Sequence, residues 1–409
     1  MKIAVITPTA IPARRANTIQ VMKMSQALVG LGYIVRLAAP LVKSNGNDEP
    51  DRSWENLALH YGLASQFPID WLPASPGLRS YDFGLRAVRW SRLWEADVIY
   101  TRLPQAAALA SLRGMDTIFE VHDLPQGYLG PMLFRLYQKG KGARRLVAIT
   151  RALAGDLQKR FGIPDRESFV VIAPDGVDLG RYENLPSPTE ARRILAGVGG
   201  SKPVFHFSSG NLLLHPDRFI AGYSGHLYAG RGVELLLDLA ERLPDIFFLL
   251  VGGDPQAVQQ FQGLAVSRAL KNVIFTGFVP NAELPLYQAA CDALLMPYQH
   301  RVAASSGGDI APYLSPMKLF EYMALQRAIV APDQPNIREI LVDGRDALLF
   351  NVADPAAFTE AILRLTTDRA LRRRLAERAG KTVRDRQLTW ARNAQRVIEL
   401  GRKFGAPAG

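Results

Sequence analysis

Short apolar runs alternate with amphipathic stretches twice along this chain, and that double rhythm limits its possible folds more than any other feature. The first series places strands at Lys2–Thr7, Ile34–Ala39, Ala96–Thr101, Thr117–Val121, Arg145–Ile149 and Phe169–Ile172, with helical patterns such as Thr18–Gly30 and Ala152–Arg160 between several of them. Strands alternating with helices demand right-handed crossovers, hence a parallel sheet covered by helices on both faces. The rhythm breaks near Leu185–Pro188 and stays irregular to about Phe219. This stretch includes Val198-Gly-Gly-Ser-Lys-Pro203 and reads as a linker followed by an insertion over 201–218. A second series follows: Phe219–Gly222, the helix Gly232–Arg242, Ile246–Val251, Val273–Thr276, Ala293–Met296, Ala328–Val330 and Ala347–Phe350, with helical patterns at Leu319–Leu325 and Pro355–Thr366. A charged helical tail runs from about Asp368 to Phe404. The fold class expected is α/β: two doubly wound, Rossmann-like parallel-sheet domains, 1–185 and 186–387. They face each other across a cleft at the carboxyl ends of their strands, where open α/β sheets bind ligands.

Composition narrows the function classes. At 409 residues the chain exceeds one ordinary core, and 48% hydrophobic with 21% charged residues permits packing throughout. The single cysteine, Cys291, forms no internal disulfide, which fits a reducing compartment. The apolar run after Lys2 reads as a first strand rather than a signal peptide, and no uninterrupted apolar stretch reaches about 18 residues, so a cytoplasmic location is expected. The 49 Lys+Arg exceed the 38 Asp+Glu by 11, a surplus that favours anionic partners. Nucleic acid is not expected among them, because no recognisable reading module is present and basic and aromatic residues seldom interleave. Between Arg135 and Arg160 the basic residues face only Asp156. Such runs are usually solvated helix faces, but Phe134, Leu136 and Tyr137 beside Arg135, Lys139 and Lys141 suggest a patch for anionic lipid heads at the inner membrane face.

The loops after the strands separate ligand classes. Thr7-Pro-Thr-Ala-Ile-Pro-Ala-Arg-Arg-Ala-Asn-Thr18 lacks the glycines that a dinucleotide needs, so this polar loop is left for an acceptor. In the second series, Gly222-Tyr-Ser-Gly-His-Leu-Tyr-Ala-Gly-Arg-Gly232 leads into a helix, and Arg231 and His226 offer polar or cationic groups near its start. A phosphate site needs such groups, although glycine-rich turns of this kind also occur for purely structural reasons. Ser315-Pro-Met-Lys-Leu-Phe-Glu-Tyr-Met-Ala324 starts a helix with Lys318 in its first turn and Glu321 one turn later. Its amides suit a pyrophosphate and its acid suits a ribose diol, while the same spacing also fits a capped helix with a solvated Lys–Glu pair. No Asp-x-Asp dyad and no His/Cys cluster with metal-ligand spacing is present, so no metal site is expected.

Taken in order, these runs resemble glycosyltransferase family 4. Ser315–Ala324, Ala328-Ile-Val-Ala-Pro, Asn336-Ile-Arg-Glu-Ile and Val342-Asp-Gly resemble the family's donor-binding signature, and Gly225–Gly232 its phosphate loop. Pro174-Asp-Gly-Val-Asp178 resembles the run ending its first domain, Val251-Gly-Gly-Asp254 and Thr276-Gly-Phe-Val-Pro280 its next landmarks, and Thr389-Trp-Ala-Arg-Asn its terminal helix. The resemblance implies the glycosyltransferase B fold, with the helix at about 388–409 packing back on the first domain. It also implies a nucleotide-diphosphate sugar (UDP-, GDP- or ADP-linked) as co-substrate, a hydroxyl acceptor and no further cofactor.

The same resemblance assigns residues. Glu321 would hold the donor ribose. Amides around Met317, Lys318 and Leu319 would take the pyrophosphate, with Ser315 and Gly225 alongside. Arg231 and His226 stand where the family usually has lysine and arginine, and Phe278 and Val279 would flank the nucleobase. Tyr313 stands where the family's paired acid would contact the sugar. Glu120-Val-His-Asp123 resembles its histidine–aspartate site, with His122 at the sugar and Asp123 on the acceptor side, together with Asn17 and Thr18. The expected chemistry is metal-independent sugar transfer with retention, in which Arg231, His226, Lys318 and helix amides stabilise the departing diphosphate. Other possibilities are a nucleotide-sugar epimerase of the same fold and a non-catalytic binder of anionic ligands or membranes. A phosphorylase would need a pyridoxal lysine, and none is identified.

Overall fold

The computed structural model describes residues 1–41, 49–78, 80–163, 169–197, 218–302 and 309–402, and the chain divides into two compact units, Met1–Gly176 with Thr389–Gly409, and Val177–Leu388. All of the expected 201–218 insertion except Arg218 lies outside the described residues.

The first unit carries β1 (Lys2–Ile6), α1 (Ala16–Gly30), β2 (Ile34–Leu41), α2 (Trp54–Tyr61), β3 (Ile69–Pro73), α3 (Tyr81–Leu93), β4 (Val98–Thr101), α4 (Pro104–Leu112), β5 (Thr117–Val121), α5 (Leu129–Gln138), β6 (Arg144–Ala148), α6 (Arg151–Phe161) and β7 (Val170–Ile172). The strands form one parallel sheet ordered β3-β2-β1-β4-β5-β6-β7. The order reverses beside β1, so the ends of β1, β4 and β5 converge on one switch point, where such sheets bind ligands. Two elements beyond the expected set stand out: β3, an incompletely buried edge strand tied to β2 by the Arg36–Asp70 ion pair at 2.7 Å, and the α3 that follows it. The terminal helix Trp390–Arg402 belongs to this unit and packs along α1; the side chain of Asn393 donates to the Pro174 carbonyl.

The second unit carries α7 (Pro188–Leu195), β8 (Phe219–Ser224), α8 (Val233–Arg242), β9 (Ile246–Val251), α9 (Pro255–Ser267), β10 (Val273–Gly277), α10 (Leu284–Ala289), β11 (Ala293–Leu295), α11 (Met317–Leu325), β12 (Ala328–Pro332), α12 (Pro335–Arg338), β13 (Leu348–Phe350), α13 (Pro355–Thr367) and α14 (Arg369–Asp385). Its parallel sheet is ordered β10-β9-β8-β11-β12-β13. Every residue of β9 is buried, as an uninterrupted apolar strand requires when helices cover both faces. Alternate side chains divide between two cores: Ile220, Leu249 and Val251 pack with α11, while Ala221, Tyr223, Phe248 and Leu250 pack with α8 and α13.

The segment read as a linker contains α7. Ser187 caps it, accepting from the Glu190 amide at 3.3 Å, and Pro188 occupies the first turn. Arg192, only 3% exposed, donates to the Ala290 carbonyl at 2.8 Å and to Asp292 at 2.5 Å, so α7 is part of the second core rather than a tether.

Candidate active site

Two clusters at strand ends hold most of the expected residues, one in each unit. In the second unit, β8 ends at Ser224 and the chain turns through Gly225, whose φ of +143° suits glycine. A Cβ on Gly225 would lie 2.7 Å from Lys318 Nζ, so the bare backbone leaves room for that ammonium group. The loop closes on Gly232, which has φ +77° and starts α8, placing Arg231 just before the helix.

Lys318 and Arg231 share an aromatic floor. The ammonium lies 3.8 Å from the Tyr223 ring centroid and 5.3 Å from that of Tyr298, and the Arg231 guanidinium lies 5.1 Å from the Tyr298 ring. Tyrosine faces attract cations without neutralising them. Among the described residues neither cation has a carboxylate within ion-pair distance, and Arg231 Nε is buried without a hydrogen-bond partner. Burial pushes the Lys318 pKa well below the usual lysine range; the neighbouring Arg231 adds to the fall and Glu321 opposes it. Two adjacent cations without a counter-anion suit an anionic ligand.

The start of α11 has no side-chain cap. Leu319, expected to offer its amide, donates it to the Pro316 carbonyl at 2.9 Å and buries its side chain; the amides of Met317 and Lys318 remain for a ligand. Glu321 lies one turn on and is partly exposed, and its Oε2 accepts from Gln288 at 3.0 Å. Ser315 and Tyr313 are 8% and 9% exposed, so the tyrosine in place of an acid is largely a packing residue. His226 stacks on Tyr228 with centroids 4.6 Å apart, and its carbonyl accepts from the Tyr223 hydroxyl. Phe278, Val279 and Pro280 follow β10, half-buried, with Val279 against the core.

In the first unit, His122 and Asp123 follow β5 and line a cavity of about 320 Å³ with Arg102, Glu120, Gln126 and Phe134. Glu120 Oε1 bonds to His122 Nε2 and accepts from Gln20 at 2.8 Å; Tyr100 donates to Oε2, and Arg102 reaches Gln20 at 3.1 Å. Burial raises the Glu120 pKa well above its ordinary value, and nearby Asp175 reinforces this. Burial and Arg102 hold the His122 pKa well below its usual value, so the ring is neutral near pH 7. Burial also lowers the Arg102 pKa to about 10, against the opposing pull of Asp175. Asp123 accepts from the Leu124 amide at 2.7 Å and the Gln126 side chain at 2.8 Å.

The residues expected on the acceptor side differ in their surroundings. Thr18 is fully buried and donates to the carbonyls of Ala13 and Arg15, each at 2.8 Å, so it organises the start of α1 and has no surface for a ligand. Asn17 donates to Thr9 at 2.6 Å and keeps an unpartnered Oδ1. The sequence assigns no role to Tyr223, which lies inside β8 beyond the expected strand end at Gly222, to Tyr298, which follows β11, or to Gln20, Glu120 and Gln288, whose roles depend on contacts between distant segments. Among the described residues no group of three or more His, Cys, Asp or Glu side chains could hold a metal ion.

Comparison with known proteins identifies the family. A family model described as glycosyl transferases group 1 matches residues 218–368, and one described as glycosyltransferase family 4 matches residues 18–181, together about three quarters of the chain. The chain is 29% identical over 322 residues to a 2-deoxystreptamine glucosyltransferase of Streptomyces kanamyceticus, covering 70% of this chain and 76% of that protein. It is 22% identical to a phosphatidyl-myo-inositol mannosyltransferase of Mycobacterium leprae, covering 98% of this chain and 96% of that one. Among solved structures, the Anabaena protein HepE in complex with UDP-glucose superposes with a TM-score of 0.70 at 17% identity, covering 98% of this chain and all of that one. The chain belongs to glycosyltransferase family 4 and has the glycosyltransferase B fold.

Proposed function

We propose that the second unit binds a nucleotide-diphosphate sugar and that the enzyme transfers the sugar to a hydroxyl acceptor with retention and without a metal ion. The observation carrying this reading is the pair Lys318 and Arg231, held over Tyr223 and Tyr298 beside an uncapped helix start and, among the described residues, without a carboxylate partner. A diphosphate would supply the missing anion, and Glu321, one helical turn away, would accept from the ribose hydroxyls. As the glycosidic bond to the diphosphate breaks, negative charge grows on the leaving oxygen, and fixed cations and amides stabilise it there. The acceptor hydroxyl attacks from the face the diphosphate leaves, and a departing phosphate oxygen takes its proton. We assign acceptor-side chemistry to the cavity around His122 and Asp123. The names of the relatives, which act on deoxystreptamine and phosphatidylinositol, support a cyclitol or sugar hydroxyl as the acceptor.

A donor screen tests this reading. One of UDP-glucose, GDP-mannose and ADP-glucose is expected to raise the melting temperature and be slowly hydrolysed, in EDTA as well as without it. Glu321→Ala is expected to abolish the stabilisation. Dependence on a divalent ion would contradict the metal-free mechanism, and no response to any donor would contradict the donor site.

We also propose contact with an anionic membrane, through apolar residues other than Phe134 and Tyr137. Phe134 and Tyr137 are 1% and 0% exposed and belong to the core. Exposed apolar side chains instead lie on α3 and around the start of α5, both packed against α4: Tyr81 and Leu85, then Tyr128, Leu129 and Met132. Exposed Arg86, Arg89, Arg135 and Lys139 accompany them. Apolar tips among cations suit anionic headgroups. Co-sedimentation with phosphatidylglycerol vesicles is expected, to weaken in high salt, and to fall in a Tyr128→Ser/Met132→Ser variant; equal binding to neutral phosphatidylcholine vesicles would contradict the proposal. Among the described residues no helix is long and apolar enough to cross a membrane.

A further inference from the structure

Gln288 lies on α10, 1% exposed, and its side-chain amide bridges two functional segments. Nε2 donates to Glu321 Oε2 at 3.0 Å and to Ser224 Oγ at 3.1 Å. Ser224, the residue before Gly225, is in turn fixed by the buried Tyr322, whose hydroxyl accepts from the Ser224 amide at 2.9 Å and lies 3.1 Å from its Oγ. Both hydrogens of the amide are therefore committed, one to the phosphate-loop side and one to the acid.

We infer that Gln288 is the positioning residue for Glu321, holding one carboxylate oxygen so that the other meets a ribose diol; this rests on Glu321 being the ribose acceptor. Among the described residues Glu321 Oε1 has no hydrogen-bond partner, whereas Oε2 is taken. An amide suits the task because it orients a carboxylate without neutralising it, and an ionised acceptor makes the stronger bond to a hydroxyl. Lysine or arginine at this position would compete with the diol for the charge. Two further polar atoms close to the acid, Gln288 Oε1 and the Tyr182 hydroxyl, are buried without partners among the described residues. Tyr182 is near enough for the charge of Glu321 to add to the effect of burial in keeping its hydroxyl protonated. Buried polar atoms left unpaired are costly, and hydroxyls of a bound nucleoside would satisfy them.

The test separates orientation from folding. Affinities of UDP, GDP and ADP are measured by calorimetry, and the tightest is compared with its 2′,3′-dideoxy form on the wild type, Gln288→Ala, the near-isosteric Gln288→Met and Glu321→Ala. Both Gln288 variants are expected to weaken the parent nucleotide about tenfold and the dideoxy form by less than about twofold. Losses of equal size on both ligands, or no loss on either, would overturn the inference. If Glu321→Ala left the parent nucleotide unaffected, the assignment of ribose to Glu321 would itself fail, and the Gln288 proposal with it. Loss in Glu321→Ala without loss in the Gln288 variants would overturn only the positioning role.

Discussion

Lys318→Met is expected to lower turnover by about 10²–10³-fold, as removal of one fixed donor to a developing oxyanion does, and yet to make the ligand-free protein more stable. Lys318 places its charge over two tyrosine rings, partly out of water, with Arg231 beside it and, among the described residues, no carboxylate in contact. Methionine fills similar space and removes the charge, so a gain of about 1 kcal/mol is expected, read as a rise of about 2–4 °C in melting temperature. A site built for an anion carries such a cost until the anion arrives. The pH dependence follows with the same sign. Because the folded pKa lies below the unfolded one, the unfolded chain binds more protons between the two values, and ligand-free stability rises with pH through that window. A diphosphate pulls the pKa back up. Nucleotide binding should therefore take up protons, seen as a dependence of the calorimetric heat on buffer ionisation, and should weaken as pH rises. A Lys318→Met protein with unchanged turnover would remove this residue from the mechanism.

Gly232→Ala is expected to cost about 3–5 kcal/mol in denaturant unfolding of the second unit and to abolish nucleotide binding. At φ +77° an alanine is strained by about 1–2 kcal/mol before any contact is considered. The added Cβ would also overlap the Pro297 carbonyl oxygen and come within 2.8 Å of the carbonyl carbon. Pro297 immediately precedes Tyr298, whose ring supports Arg231 and Lys318, so relief by moving that segment would disturb both cations. Wild-type affinity for whichever of UDP, GDP and ADP binds tightest, together with wild-type stability, in this variant would show that the loop is not under the constraint described.

Much of this site is legible in the sequence, and the illegible part has a common cause. The helix start at Met317, the lysine one residue on and the acid a turn later are local features, set by helical spacing, and they stand where the sequence places them. Strands Thr117–Val121 and Ile246–Val251 match residue for residue; the second is a continuous apolar run, as a strand covered on both faces requires, and the first is a mostly apolar run interrupted by Glu120. The edge strand β3 lies outside the expected set because Ile69-Asp-Trp-Leu-Pro73 is short, interrupted by Asp70, ended by proline and only partly buried. Helix α7 carries a local signal, the capping box Ser187-Pro-Thr-Glu190 with proline at its first position, but it is only eight residues long and runs into a glycine-rich stretch that reads as a linker. The resemblance puts Thr18 on the acceptor side, whereas the structure uses its hydroxyl inside the turn. The Gln288–Glu321 and Gln20–Glu120 bonds join residues 33 and 100 apart, and such pairings leave no periodic trace in a single sequence.

The question of what α11 holds is settled most directly by a crystal structure with UDP, GDP or ADP bound, whichever nucleotide raises the melting temperature most. Binding as proposed puts the diphosphate within hydrogen-bond reach of Lys318 Nζ, Arg231 and the amides of Met317 and Lys318, with a ribose hydroxyl on Glu321. A nucleotide seated elsewhere, leaving Lys318 and Arg231 without an anion, would contradict it.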